Sequence, residues 1–204
     1  MTPAMHQSLL PHRKAALAAL LIALYTLFIL FAMRRPPICE CGTIKLWWGA
    51  VQSAENSQHI ADWYSFSHVI HGLLFYAAAH LLWRKWGLFS GGGSSGPARW
   101  ALPIAVAIEA SWELLENSPM IIDRYRAVTV SFGYSGDSIL NSMADIGWMA
   151  IGFWAASRLP VKASIAIALA FELFTLAMIR DNLTLNVLML VWPLDAVRVW
   201  QAGG

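Results

Sequence analysis

Three acidic residues interrupt an otherwise apolar stretch at residues 108–119, IEASWELLENSP. They are Glu109, Glu113 and Glu116. On a helix advancing about 100° per residue they fall at about 0°, 40° and −20°, a narrow stripe with Asn117 beside it. Two other segments repeat the device. Asp137, Asn141 and Asp145 are spaced i, i+4, i+8, and Trp148 and Gly152 extend that face. Ser65, His68 and His71 recur at spacing three, with Gly72 adjacent.

These residue types support two chemistries. Imidazole nitrogen and carboxylate oxygen are donors for zinc or another divalent transition ion. If such a metal is bound, His68, His71, Glu113 and Asp137 are its candidate ligands. The pattern is not diagnostic, because His68-x-x-His71 lacks the glutamate of HExxH. Glu113-x-x-Glu116 also lacks the imidazole that would make the Glu-x-x-His of di-iron bundles. The metal-free alternative is acid–base work. Clustered carboxylates in a low dielectric keep protonated and ionised forms side by side near neutral pH. With His68 or His71, such a group can move a proton, hydrolyse a lipid-linked substrate or bind a polar head group. No GxSxG nucleophile signature occurs; Ser65 and Ser67 are the hydroxyls near His68.

The candidate catalytic set is therefore His68, His71, Glu109, Glu113, Glu116, Asp137, Asn141 and Asp145. Arg124 and Arg126, between the second and third stripes, are placed to clamp a phosphate or carboxylate, and Ser65 is a candidate substrate contact. Solvated loop charge is the other reading of the two arginines. Glu172 is a lone acid in an apolar segment, and either joins the cluster or is satisfied where it stands. His80 faces away from the His68/His71 stripe and reads as a packing histidine.

The elements that must position these groups follow from composition. Of 204 residues, 58% are hydrophobic and only 13% charged, against about 25% charged in an ordinary soluble domain. Ala15 to Met33 contains no charge, and a helix needs about 20 apolar residues to cross a bilayer. The segment has a basic start at Arg13 and Lys14 but no cleavage site, and reads as a retained anchor. Apolar segments predict helices over about 15–33, 62–83, 98–117, 137–158 and 161–179. A further short helix over 183–200 is interrupted at Pro193. The fold class is all-α: one polytopic transmembrane helical bundle of five or six helices spanning 1–204.

Loops complete the layout. Residues 34–61 form a long loop carrying Trp47 and Trp48, a pair suited to the membrane–water interface. Residues 90–97, SGGGSSGP, read as a flexible linker. Residues 118–136 read as a polar loop. Cys39 and Cys41 are too close in sequence for an easy disulfide. Inert thiols, an exported disulfide and a soft-metal site are the readings they allow. Loop charge places the N-terminus inside: Arg13, Lys14, Arg84, Lys85, Arg99, Arg158 and Lys162 then lie within, against Arg34, Arg35, Lys45, Arg124, Arg126 and Arg180 outside. The net charge of +2 and the lack of a basic stripe give no reason to expect a nucleic-acid partner.

With that topology, the His68 and Asp137 helices run one way and the Glu113 helix runs the other. All three stripes then sit near the outer membrane face, with Glu109 nearest mid-membrane. An acidic residue near a helix centre costs roughly 2.5–3.5 kcal/mol. The cluster must accordingly be paired, protonated or wet.

The segments DWYSFSHVIHG, EASWELLENSPMIIDRYR and GYSGDSILNSMADIGWMAIGF resemble an uncharacterised family of alphaproteobacterial integral membrane proteins, a likeness covering nearly the whole chain. More distantly, the order His68, Glu113, Arg124 or Arg126, Asp137 and Asn141 resembles VanZ-like membrane proteins. That resemblance implies a role in the cell envelope linked to glycopeptide resistance. This chain differs in having extra residues between the Glu and Asp helices, and Glu116-Asn117 where a Gln is usual.

The leading expectation is a multi-pass protein of the bacterial inner membrane, N-terminus cytoplasmic. Its outward-facing cavity binds or processes an envelope lipid or amphiphile. The alternatives are a proton- or metal-coupled transporter, and a scaffold that uses the cluster as glue between helices. The lipid bilayer is the one partner the sequence implies directly; oligomeric state is not set by it.

Overall fold

The computed structural model describes residues 3–86, 100–129 and 133–203, and their regular structure is entirely helical. The order is α1 (Pro3–Ala32), α2 (Ser65–Trp86), α3 (Ala101–Glu116), α4 (Pro119–Val128), α5 (Ile139–Arg158), α6 (Val161–Ile179), α7 (Leu183–Val191) and α8 (Asp195–Gln201). The glycine-serine linker and Arg99 lie outside the described residues, as do the side chains of Arg84 and Lys85.

Among the described residues, three stretches are long and apolar enough to cross a membrane: Arg13–Ala32, Ser65–Trp83 and Val161–Ile179. Of the α6 stretch only 6% is buried; Ile165, Leu169, Leu173 and Met178 all face outward. On α1 the same is true of Leu17, Leu21, Leu24, Phe28 and Phe31. Apolar surface of that extent is unusual for a soluble monomer and suits contact with lipid. The expected five or six spans are not all marked by length and apolarity. α3 has only 16 residues, and α5 carries its polar stripe through its first half.

α2 packs most extensively against α5, and α1 against α3. Hydrogen bonds fix which ends meet. Ile139 N and Leu140 N, opening α5, donate to the Pro36 and Pro37 carbonyls just beyond α1, at 2.8 and 3.1 Å. Asn117 Nδ2, ending α3, donates to Ser142 Oγ on α5 at 3.1 Å. The Tyr64 hydroxyl, before α2, donates to Asp181 Oδ2 beyond α6 at 3.1 Å. The C-terminal ends of α1, α3 and α6 therefore meet the N-terminal ends of α2 and α5 at one end of the bundle. Phe66 closes the α2–α6 seam there, with ring centroids 4.9 Å from Phe171 and 5.6 Å from Phe174.

Local chemistry sets the boundaries. α2 begins at Ser65 rather than Asp62 because those two residues make the cap: Asp62 Oδ1 accepts from Tyr64 N, and Asp62 N donates to Ser65 Oγ. α5 begins at Ile139 because Ser138 is the N-cap, its hydroxyl accepting from Asn141 N at 3.1 Å. The segment read as a polar loop contains α4, which starts on Pro119 at a first-turn position where no N–H is needed. It buries Ile122, Tyr125 and Val128. The C-terminal segment is two short helices on either side of Pro193.

The long loop after α1 is sewn to α5 rather than solvated. Gln58 Nε2 donates to Gly136 O, Ser138 Oγ to Gln58 O, and Trp148 Nε1 to Ile60 O. Residues 56–59 are buried as a result. Cys39 and Cys41 are joined as a disulfide within it.

Candidate functional site

Glu109 is the hub of the polar cluster. It is completely buried, and both histidines of α2 bond to it. His68 Nδ1 lies 2.6 Å from Glu109 Oε1; His71 Nδ1 lies 3.1 Å from each Glu109 oxygen. A carboxylate accepts only, so both rings donate from Nδ1–H. That leaves Nε2 of each as the ring's acceptor nitrogen. His68 Nε2 points at α5, 3.7 Å from Asp145 Oδ2.

Beyond Glu109 the acids are handled unequally. Asp137 is well satisfied: Asn117 Nδ2 donates to Oδ2 and the Tyr134 hydroxyl to Oδ1, each at 2.9 Å. Its own N–H donates to Asn117 Oδ1 at 2.8 Å. Arg35 holds the Asp137 carbonyl through Nε and Nη2, at 3.1 and 2.8 Å. Glu113 is the opposite case. It is 0% exposed, yet neither carboxylate oxygen has a hydrogen-bond partner. Asp145 Oδ1 is likewise buried without one.

A cavity of about 260 Å³ opens on this cluster. Of the candidate residues, His68, His71, Glu109, Glu116, Asp137, Asn141 and Asp145 line it. Glu113 sits behind the wall. Asn141 also holds the loop, its Nδ2 donating to His59 O at 2.8 Å.

Three sequence candidates stand elsewhere. Ser65 is part of the α2 cap and is not in the cavity wall. Arg124 Nε donates to Leu190 O at 3.0 Å, tying α4 to α7, and Arg126 Nε donates to Tyr134 O at 2.6 Å. Neither arginine lines the cavity, because carbonyls left over at the end of α7 and in the 133–138 turn engage both guanidiniums first. Glu172 does not join the cluster either. Its carboxylate accepts from Leu183 N and Thr184 N, capping α7. His80 stacks on Tyr76, as a packing histidine does.

Sequence patterning missed the rest of the wall. Tyr64, Tyr125 and Tyr134 supply hydroxyls, Asn56, Ser57 and Asn186 further polar groups, and Phe75, Ile108, Trp112, Leu183 and Val187 an apolar side. The periodic burial of Ile122, Tyr125 and Val128 was the available signal for α4. Burial pushes the Tyr125 phenol well above its usual range and the nearby Glu116 carboxylate adds to the shift. Tyr125 stays a neutral donor, giving its hydrogen to Asn186 Oδ1 at 2.9 Å.

Three overlapping groups bring ligand atoms within 4.8 Å of one another: His68–His71–Glu109, His68–Glu113–Asp145 and Glu113–Glu116–Asp137. A fourth joins Cys39, Cys41, Glu55 and His59. There the sulfurs are consumed by the disulfide, and His59 Nε2 is engaged by Glu55 at 3.0 Å.

With this geometry in hand, comparison with known proteins is informative. The family described as "Protein of unknown function (DUF2585)" matches residues 30–203. The chain belongs to that family. A UPF0314 protein of Novosphingobium aromaticivorans is 61% identical over 96% of each chain. A UPF0314 protein of Rhizobium meliloti is 57% identical, covering 94% of this chain and 93% of its own. One of Sphingopyxis alaskensis is 55% identical over 92% of this chain and 94% of its own. The resemblance to an uncharacterised alphaproteobacterial family is thus confirmed, while the likeness to VanZ-like proteins rests on motif order alone. No solved structure matches the chain.

Proposed function

We propose that this family member is a multi-pass inner-membrane protein that takes an amphiphile into the cavity, polar group first. The observation that carries this reading is the cavity's mixed lining. Imidazoles and carboxylates of α2, α3 and α5 share the wall with Ile108, Trp112, Leu183 and Val187. Ile108 and Val187 are each 50% exposed, so apolar lining runs out to the surface of the bundle. An amphiphile needs that continuity: its tail stays against apolar surface while its head group reaches hydrogen-bonding partners.

In this reading α1, α2, α3, α5 and α6 all cross the inner membrane with the N-terminus cytoplasmic. The cavity, α4, α7 and α8 then share the outer face. His68 and His71 recognise the head group or exchange a proton with it. Transport is less well supported. Past the cluster, α2, α3 and α5 close on Ala79, Ala105, Val106, Ile146, Met149 and Phe153, a packed apolar layer.

The test is lipid analysis of a deletion strain, its complemented form, and strains carrying Glu113→Gln or Asp137→Asn. The proposal expects one lipid or amphiphile class to change on deletion and to stay changed in the point variants while the protein remains folded. Unchanged lipids in all strains, with variants that differ only in stability, would instead support a scaffold held together by polar contacts.

A further inference from the structure

Glu113 poses a problem the amphiphile does not solve. It lies behind the cavity wall, fully buried, with neither oxygen hydrogen-bonded; Oε1 stands 3.7 Å from His68 Nδ1, which already donates to Glu109. Asp145, 5% exposed, has one oxygen in the same condition. Burying a carboxylate without a partner costs several kcal/mol. Among the described residues no Lys or Arg side chain pairs with either acid. Arg35, which is near Asp137, is spent on that residue's carbonyl.

We propose that His68, Glu113 and Asp145 bind a first-row divalent cation such as Zn²⁺ or Mn²⁺. Glu109 supplies the preparation. By accepting Nδ1–H of His68 at 2.6 Å it fixes the ring's orientation and leaves Nε2 as a lone pair directed at Asp145. A carboxylate holding the far nitrogen of an imidazole is the usual support of a metal-ligating histidine. The 3.7 Å between His68 Nε2 and Asp145 Oδ2 is too long for a hydrogen bond. It suits a shared ion, since two ligands each about 2.1 Å from a metal stand roughly 3–4 Å apart. One ring nitrogen of His68 and one carboxylate oxygen each of Glu113 and Asp145 lie within 4.8 Å of one another.

The donor set is one nitrogen and carboxylate oxygens, with no sulfur, which favours zinc or manganese over a soft ion. Three protein ligands leave coordination positions open. Asp145 lines the cavity while Glu113 does not, so the open positions face the cavity. A bound head-group oxygen or water would occupy them. The ion itself does not depend on the amphiphile.

The experiment uses the full chain in lipid nanodiscs, purified without a histidine tag. After chelator treatment it is reloaded with ZnCl₂ or MnCl₂, desalted, and analysed for metal and for co-purified lipid. Wild type is expected to hold about one ion per chain, with a higher unfolding temperature after reloading. Glu113→Gln and Asp145→Asn are expected to bind about 10–100-fold more weakly, while Glu55→Gln in the loop matches wild type. For Mn²⁺ the electron-spin signal should carry coupling to one imidazole nitrogen, lost in His68→Asn. That readout needs only wild type and so holds even if an acid variant fails to fold. Wild type that retains no ion and shows no thermal shift overturns the proposal, as does an ion lacking nitrogen coupling or equal metal in Glu113→Gln. Lipid retained without an ion overturns this inference and leaves the cavity reading standing; an ion without lipid does the reverse.

Discussion

Gly72 and Gly152 cross at a distance that admits no side chain on either. A Cβ on Gly72 would lie 2.0 Å from the Met149 carbonyl oxygen, and one on Gly152 would lie 2.1 Å from that of Val69. The neighbours are backbone, so neither can turn aside. This contact holds α2 against α5 one turn from His68, and so sets the separation of His68 from Asp145. Gly72→Ala or Gly152→Ala is expected to destabilise the protein by about 3 kcal/mol or more, read as thermal unfolding in detergent. Gly147→Ala, whose added carbon meets nothing within 4 Å, is the matched control and should be close to neutral. Equal stability of all three variants would mean that the two helices do not approach this closely.

Glu109 serves two imidazoles at once, which makes its removal unlike the loss of a single pair. Glu109→Ala strands both Nδ1–H donors in a buried site and is expected to cost about 3–5 kcal/mol. Glu109→Gln keeps one carbonyl acceptor and should recover part of that. In a double-mutant cycle, Glu109→Ala with His71→Ala should show a coupling of about 1–3 kcal/mol. Additive effects would indicate that His71 and Glu109 do not interact in the folded protein.

Much of this cluster was legible in the sequence because helical spacing carries it. Glu109, Glu113, His68, His71 and Asp145 are apolar-helix positions occupied by ionisable residues, and the 3.6-residue period says which of them share a face. Alternating helix direction then says which ends meet. What the period cannot carry is the contribution of non-periodic backbone. The 34–64 loop reaches α5 through carbonyls of Pro36, Gln58, His59 and Ile60, and a carbonyl has no residue type to read. The placement of the two arginines was illegible for the same reason: Arg124 and Arg126 donate to the Leu190 and Tyr134 carbonyls, away from the cavity wall. α4 was hidden because Asp123, Arg124 and Arg126 interrupt its apolar residues and its buried face is only three residues wide.

Asp181, outside the spans and between α6 and α7, gives a pH dependence with a definite sign. Burial raises its carboxyl from the usual 3.8 to about 6, partly offset by hydrogen bonds from Asn182 N, the Tyr64 hydroxyl and Gln201. Between those two values the folded chain binds more protons than the unfolded one, so stability falls as pH rises through that window. This contribution is fully present below about pH 4 and lost above about pH 6, at most about 3 kcal/mol. Isothermal unfolding of wild type and Asp181→Asn across this range checks it. The variant should lack this part of the slope, and the difference between the two curves should run downward for wild type with increasing pH. A flat difference would show that burial does not raise the Asp181 carboxyl, and a rising one that the fold lowers it.

The apolar side of the cavity can be altered without touching the ionisable cluster. Val187 is half exposed and lines the cavity from α7, a helix whose start is capped by Asn182 through Leu185 N at 2.8 Å and by the Glu172 carboxylate. A larger side chain there has room to rotate outward, so folding stability should change by no more than about 0.5 kcal/mol. An indole at 187 would nevertheless cover the apolar approach to His71 and Glu109. Val187→Trp is therefore expected to lower the amount of co-purifying amphiphile severalfold at unchanged unfolding temperature. Leu21→Trp, an equally exposed substitution on α1 away from the cavity, should leave it unchanged. Were both variants to retain as much amphiphile as wild type, the molecule would not enter past α7, and the apolar wall would have to be assigned to packing against bulk lipid instead.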